Sequence, residues 1–171
     1  MFHAEIGPER SLQVNIRRAR AGEARALSML ALESKQQWGY SPLDIERWRA
    51  DLGISSDEIE AQPTFVAEVE GAIAGFYSLI PAAHAWILEH FWVAPQFNRK
   101  GIGRTLLKHA SDRARAEGAS AIAIDADPNA EPFYVACGAV REGTVAAPIA
   151  DDPGRRRPQL VLRIETVEIV R

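Results

Sequence analysis

The run Val93-Ala94-Pro95-Gln96-Phe97-Asn98-Arg99-Lys100-Gly101-Ile102-Gly103-Arg104 constrains the fold more than any other stretch of the chain. An apolar, β-prone segment ends at Val93, and a turn rich in proline and polar residues follows. Two glycines then open a segment in which Ile102, Leu106, Leu107, Ala110 and Ala114 recur at helical spacing. A strand that runs through a glycine turn into a helix is a phosphate-binding device. The first amides of a helix have no intrahelical partner and sit at the positive end of its dipole. Glycine lets an anion approach the main chain without a Cβ in the way. A dinucleotide fingerprint would need a third glycine where Leu106 stands, and would lie early in the chain rather than past its middle. The G-x-x-x-x-G-K-[ST] pattern of a P-loop is absent.

The flanking segments supply a sheet and helices for this device. Residues 1–12 read as a loose extension. A short strand is expected over 14–17 and a helix over 21–37, broken by Gly39-Tyr40-Ser41-Pro42. Ser41 can cap a second helix with Pro42 at its first position and Leu43, Ile45, Trp48 and Leu52 on its apolar face. Ser55 or Ser56 can start a short turn through Ile59. Strands follow over 64–69 and 73–80 with Glu70-Gly71 as a hairpin signal, then over 85–93. The glycine-motif helix runs to Gly118. A mostly apolar strand over 121–126 reads as buried on both faces. Asp127-Pro128-Asn129 caps a helix to Cys137, and strands over 139–146 and 159–165 close the chain. The order β-α-α-β-β-β-α-β-α-β-β predicts an α/β chain (an α+β mixed sheet) with helices on its faces.

Composition narrows the function classes. The 171 residues suit one domain, and a net charge of −3 gives no general pull toward nucleic acid or an anionic membrane. No apolar run reaches membrane-span length and the first residues lack a signal-peptide pattern, so a cytoplasmic protein is expected. Cys137 is the single cysteine and reads as a small packing residue. The four histidines are scattered without metal-ligand spacing, so no metal is expected. Arg155-Arg156-Arg157 reads as a solvated loop or hairpin turn, and Trp86 and Trp92 read as core.

Gly101-Ile102-Gly103 preceded by Val93-Ala94-Pro95 resembles the acetyl-CoA-binding motif of the GNAT superfamily of N-acetyltransferases, usually written Q/R-x-x-G-x-G/A. Asn129-Ala130-Glu131-Pro132-Phe133-Tyr134, followed by Cys137-Gly138-Ala139, resembles the superfamily's second signature. The likeness spans roughly residues 14–165. It implies a single acyl-CoA N-acyltransferase domain over 13–171 with a splayed central sheet and acetyl-CoA (coenzyme A) as cofactor. The implied reaction is direct transfer of an acetyl group to a primary amine of a small molecule or peptide. An alternative is a catalytically weak acyl-CoA-binding regulatory module of the same fold. One departure stands out: Asn98 occupies a position where the family usually has Arg or Gln, with Arg99 beside it.

The resemblance also implies roles. Main chain at Phe91, Trp92 and Val93 would hold the pantetheine arm, and the Val93 N–H would polarise the thioester carbonyl. Asn98, Arg99, Lys100, Gly101, Ile102, Gly103 and Arg104 would hold the pyrophosphate, with Asn129 and Phe133 against the cofactor. Tyr134 would serve as acid, since a phenol with a reference pKa near 10 is protonated at neutral pH. Glu89 and His90 are the candidate bases. Neighbours on a strand point to opposite faces, and Glu89 shares parity with Val93, which favours Glu89. A site with no dedicated base also remains open. Lys35, Trp38 and Tyr40 would border the acceptor. A homodimer through the apolar strand at Leu160-Val161-Leu162 is possible, while neither nucleic acid nor membrane is expected as a partner.

Overall fold

A computed structural model describes residues 11–165, so the expected extension lies outside the described residues except for Ser11 and Leu12. Strands β1 (Val14–Arg18), β2 (Thr64–Val69), β3 (Ala72–Ile80), β4 (Ala85–Val93), β5 (Ala121–Asp125), β6 (Val140–Ala146) and β7 (Arg156–Arg163) form one sheet. Their order is β1-β2-β3-β4-β5-β7-β6. The helices are α1 (Ala24–Gln36), α2 (Pro42–Leu52), α3 (Ser56–Ala61), α4 (Ile102–Ala116) and α5 (Glu131–Ala136). β4 and β5 run parallel, and the remaining pairs are antiparallel. A parallel neighbour needs a crossover connection, and α4 is that crossover. The open mixed sheet is the α+β architecture expected from the element order.

Local chemistry accounts for the boundaries. Ser41 Oγ accepts the Asp44 N–H at 3.1 Å, and Pro42 occupies the first turn of α2. Ser55 and Glu58 form a reciprocal capping box on α3, making it a full helix rather than a turn. Three features differ from expectation. Leu43 is exposed, while Ile45 and Leu52 carry the buried face of α2. Asp127-Pro128-Asn129 forms a turn before α5, with Asp127 accepting the Asn129 N–H at 2.8 Å, and the helix begins at Glu131. β7 begins at Arg156 and pairs with β5 on one edge and β6 on the other. Leu160 and Val161 therefore have no free edge for pairing between subunits.

The sheet separates two apolar clusters. Leu79, Trp86, Leu88, Ile102, Leu106, Ile122 and Tyr134 pack on the side of α4 and α5. Leu27, Leu30, Ile59, Val66 and Phe76 pack on the side of α1 and α3, with Trp92 against them. As expected for strand residues in a core, Trp86 is buried.

The feature that makes a site lies between β4 and β5. Their pairing runs only over Ala85↔Ala121, Trp86↔Ile122 and Ile87↔Ala123. Beyond Ile87, β4 continues to Val93 without β5. On its other edge, β4 skips a residue against β3: Leu79 faces Leu88 while Ser78 faces His90, leaving Glu89 as the extra residue of a bulge. A bulge bends its strand and increases its twist, which turns the second half of β4 away from β5.

Candidate active site

The opening between the diverging strands is a cleft of about 700 Å³. One end is the glycine turn. Gly101 has φ 80° and Arg99 has φ 58°, so two left-handed residues curl the chain before α4. This directs successive main-chain N–H groups outward at the start of a fifteen-residue helix. Gly103 has a different reason to lack a side chain. A Cβ there would stand 3.1 Å from Cε2 of Phe133, whose ring packs over this turn. Arg99 and Arg104 add positive charge at the same end of the cleft. The end suits a diphosphate or a similar anion.

The middle of the cleft is the free edge of β4. Ala94 N–H donates to Ala74 C=O at 2.8 Å, which makes that residue pair a hydrogen-bonded one. In an antiparallel ladder the next pair, Gly75↔Val93, then directs its main-chain groups away from the partner strand. The Val93 N–H and C=O consequently face the side vacated by β5. The same alternation turns the main chain of Phe91 toward the cleft. An extended ligand arm can bond there as a strand would.

Tyr134 is 6% exposed and borders the cleft from α5. Its ring packs on Phe133 at 5.1 Å and Phe91 at 5.7 Å between centroids. Burial raises the phenol above its ordinary range, helped by the nearby Cys137 and Asp127. It therefore keeps its proton at any physiological pH. Cys137 is also raised by burial, with Arg104 opposing, and stays a thiol.

Glu89 borders the cleft, and His90 does not. His90 is 4% exposed and lies on the α1 and α3 side, with its ring 5.8 Å from Phe76 and its Nδ1 accepting from Trp92 Nε1 at 3.4 Å. Burial lowers its pKa against the opposing pull of Glu58, so it stays neutral. The parity argument that separated the two residues does not hold in its simple form. Trp86 and Leu88 share the α4 side with Phe91 and Val93, although their numbers differ in parity, because the bulge at Glu89 shifts the alternation by one.

Most of the remaining predicted residues gather in one place. Trp38, Phe91, Trp92, Val93, Asn98, Arg99, Gly101, Ile102, Gly103, Arg104, Asn129 and Phe133 all border the cleft with Glu89 and Tyr134. Asn98 donates to the side chain of Gln37, which bridges the two walls. Lys100 stands apart, with its ammonium 5.6 Å from the Phe97 ring centroid. Lys35 and Tyr40 lie behind the wall and reach the site through Asp127.

Asp127 is the residue sequence reasoning undervalued, having read it only as a cap. The residue lines the cleft, and its carboxylate accepts from Lys35, from the Tyr40 hydroxyl at 2.8 Å, and from Arg155 at 3.3 Å. Burial alone would raise this carboxyl, but Lys35, the Asn129 N–H and Tyr40 outweigh it and hold it below the ordinary range. Burial lowers Lys35 in turn, against the attraction of Asp127. Arg155 is 7% exposed, which corrects the expectation of a solvated run at that one residue, while Arg156 and Arg157 are exposed as expected. An aspartate directly after a mostly apolar strand segment was the available signal. Nothing in the sequence pairs it with residue 155.

Comparison with known proteins agrees with this geometry. The acetyltransferase (GNAT) family pattern matches residues 25–139. The peptidyl-lysine N-acetyltransferase YiaC of Escherichia coli (strain K12) is 31% identical over 99 residues, which are 57% of this chain and 65% of that protein. The match thus spans just under two thirds of that relative's length. A GCN5-related N-acetyltransferase from Rhodopseudomonas palustris superposes with a TM-score of 0.72 at 21% identity, over 89% of this chain and 97% of the other. The PaiA N-acetyltransferase of Thermoplasma acidophilum, solved in complex with coenzyme A, gives 0.70 at 20% identity over 89% and 99%. At such identities the structural likeness establishes a common fold.

Proposed function

The chain belongs to the acetyltransferase (GNAT) family, whose cofactor is acetyl-CoA, and from that premise we propose that it acetylates a primary amine of a small molecule or peptide in the cleft between β4 and β5. The observation that carries the reading is the free β4 edge beside the glycine turn. The donor set fits coenzyme A: main-chain amides from Arg99 to Arg104 for the pyrophosphate, and the main chain of Phe91 and Val93 for the pantetheine amides. When bound, acetyl-CoA supplies the acetyl group as an activated thioester.

The chain's own residues do the rest. The Val93 N–H lies where it can donate to a carbonyl oxygen that gains negative charge. Tyr134 holds a proton on Oη for the departing sulfur. Glu89 accepts the proton of an amine that would otherwise remain an ammonium near neutral pH. Phe91 and Phe133 keep water from the reacting end. Trp38 borders the space for the acceptor, and Asn129 lies against the cofactor. The likeness to a peptidyl-lysine N-acetyltransferase supports a lysine side chain among the acceptors.

A thermal-shift titration with CoA, acetyl-CoA and NAD tests the cofactor assignment. A ligand bound only by the native state raises the midpoint by mass action. A saturable rise with both CoA forms and none with NAD is expected. No rise with CoA would leave the family fold without its cofactor site.

A further inference from the structure

One carboxylate gathers side chains from three other stretches of the chain. Lys35 comes from α1, Tyr40 from the α1–α2 connection, Arg155 from the β6–β7 connection, and Asp127 itself follows β5. Trp48 of α2 closes the group, with the Lys35 ammonium 4.7 Å and the Arg155 guanidinium 5.3 Å from its ring centroid. Tyr40 meets Trp48 edge-on at 4.9 Å. Lys35 is 8% and Arg155 7% exposed, so two cations are taken out of water around a single carboxylate. Arg155 Nη1 also donates to Ala147 C=O at 3.1 Å, which folds the β6–β7 connection back on itself, and its Nε is buried without a partner.

We infer that Asp127 is the positioning residue for the acceptor end of the cleft. Through Lys35 and Tyr40 it holds the α1–α2 connection, and with it Trp38, at a set distance from β5. Through Arg155 it ties that wall to the β6–β7 connection. The inference rests on the proposed function for calling this end the acceptor end, but the clamp itself stands on geometry alone. Asp127 and Trp38 border the same cleft. Loss of the carboxylate would leave two buried cations a few ångströms apart with no counter-charge, and each has a long side chain that can swing out to water only if its loop moves. The two connections should therefore loosen together, although they are far apart in sequence.

Hydrogen exchange on the full-length protein tests this, comparing wild type with Asp127→Asn. The amide side chain keeps the shape and removes the charge. Exchange should rise about tenfold in both residues 36–41 and residues 147–155, while residues 99–104 and the sheet stay as in wild type. A rise in neither segment, in one only, or uniformly through the sheet would overturn the proposal. The double variant Asp127→Asn/Lys35→Gln keeps the buried net charge of wild type and covers the case in which the single variant fails to fold. It too should show fast exchange over 36–41, and wild-type protection there would overturn the proposal. A CoA titration of the wild type is read separately. Its failure would remove the acetyltransferase reading and leave the exchange result to decide the clamp.

Discussion

At the residue scale, the site divides between groups that carry protons and groups that hold shape. Tyr134→Phe removes one hydroxyl from a ring that Phe91 and Phe133 already fix. We expect kcat to fall by about 10²-fold or more, the usual worth of a positioned acid, with the CoA-induced thermal shift retained. An acyl-CoA-binding module without turnover would be indifferent to the change. Glu89→Gln removes the proposed acceptor of the amine proton. Its rate at neutral pH should fall by a similar factor and recover as the pH rises toward that of the free amine, because the amine then arrives already neutral. A variant with an unchanged pH profile would exclude Glu89 as base.

At the element scale, β4 decides the shape of the cleft, and its path depends on how closely β3 approaches it. A Cβ on Gly75 would lie 2.7 Å from the Trp92 carbonyl oxygen and 3.0 Å from Leu106 Cδ1. The first neighbour is main chain and cannot turn aside. Gly75→Ala should cost about 2 kcal/mol, typical of forced overpacking, and should weaken CoA binding because Val93 must move. Gly143→Ala on β6, where a Cβ meets nothing within 4 Å, is the control. It should stay within about 0.5 kcal/mol of wild type in urea unfolding. Equal midpoints for the two variants would show that the β3–β4 approach does not constrain the strand.

At the scale of the whole molecule, the buried His90 and the half-buried His109 link stability to pH. Burial lowers both His90 and His109 below the ordinary imidazole value. The unfolded chain then takes up a proton more readily than the native one. Stability is complete above about pH 6.5, the unfolded value, and declines as the pH falls through the lower native values. Asp127 adds its own loss only in the acid range below about pH 4, because its native pKa is held down. His90→Gln should flatten the fall of the thermal midpoint between pH 6.5 and 5, with His109 supplying what remains. An unchanged slope would mean that His90 is not protonated on unfolding in that window.

The strand, glycine turn and helix over 85–116 were legible because their signals are local: periodicity, turn-forming residues and a helix start all lie within one stretch. The two signature segments likewise carried most of the residues that border the cleft. The bulge at Glu89 was not legible. Every residue from Trp86 to Val93 except Glu89 and His90 is apolar, so a one-residue slip in alternation leaves no mark. Arg155 was hidden for a related reason. An arginine run is usually solvated, and the first residue of this one turns inward because Asp127, 28 residues earlier, offers a buried counter-charge. Local backbone preference can be read from neighbours along the chain. Which face a strand presents after a bulge, and which cation reaches a buried carboxylate, depend on contacts that exist only once the sheet is assembled.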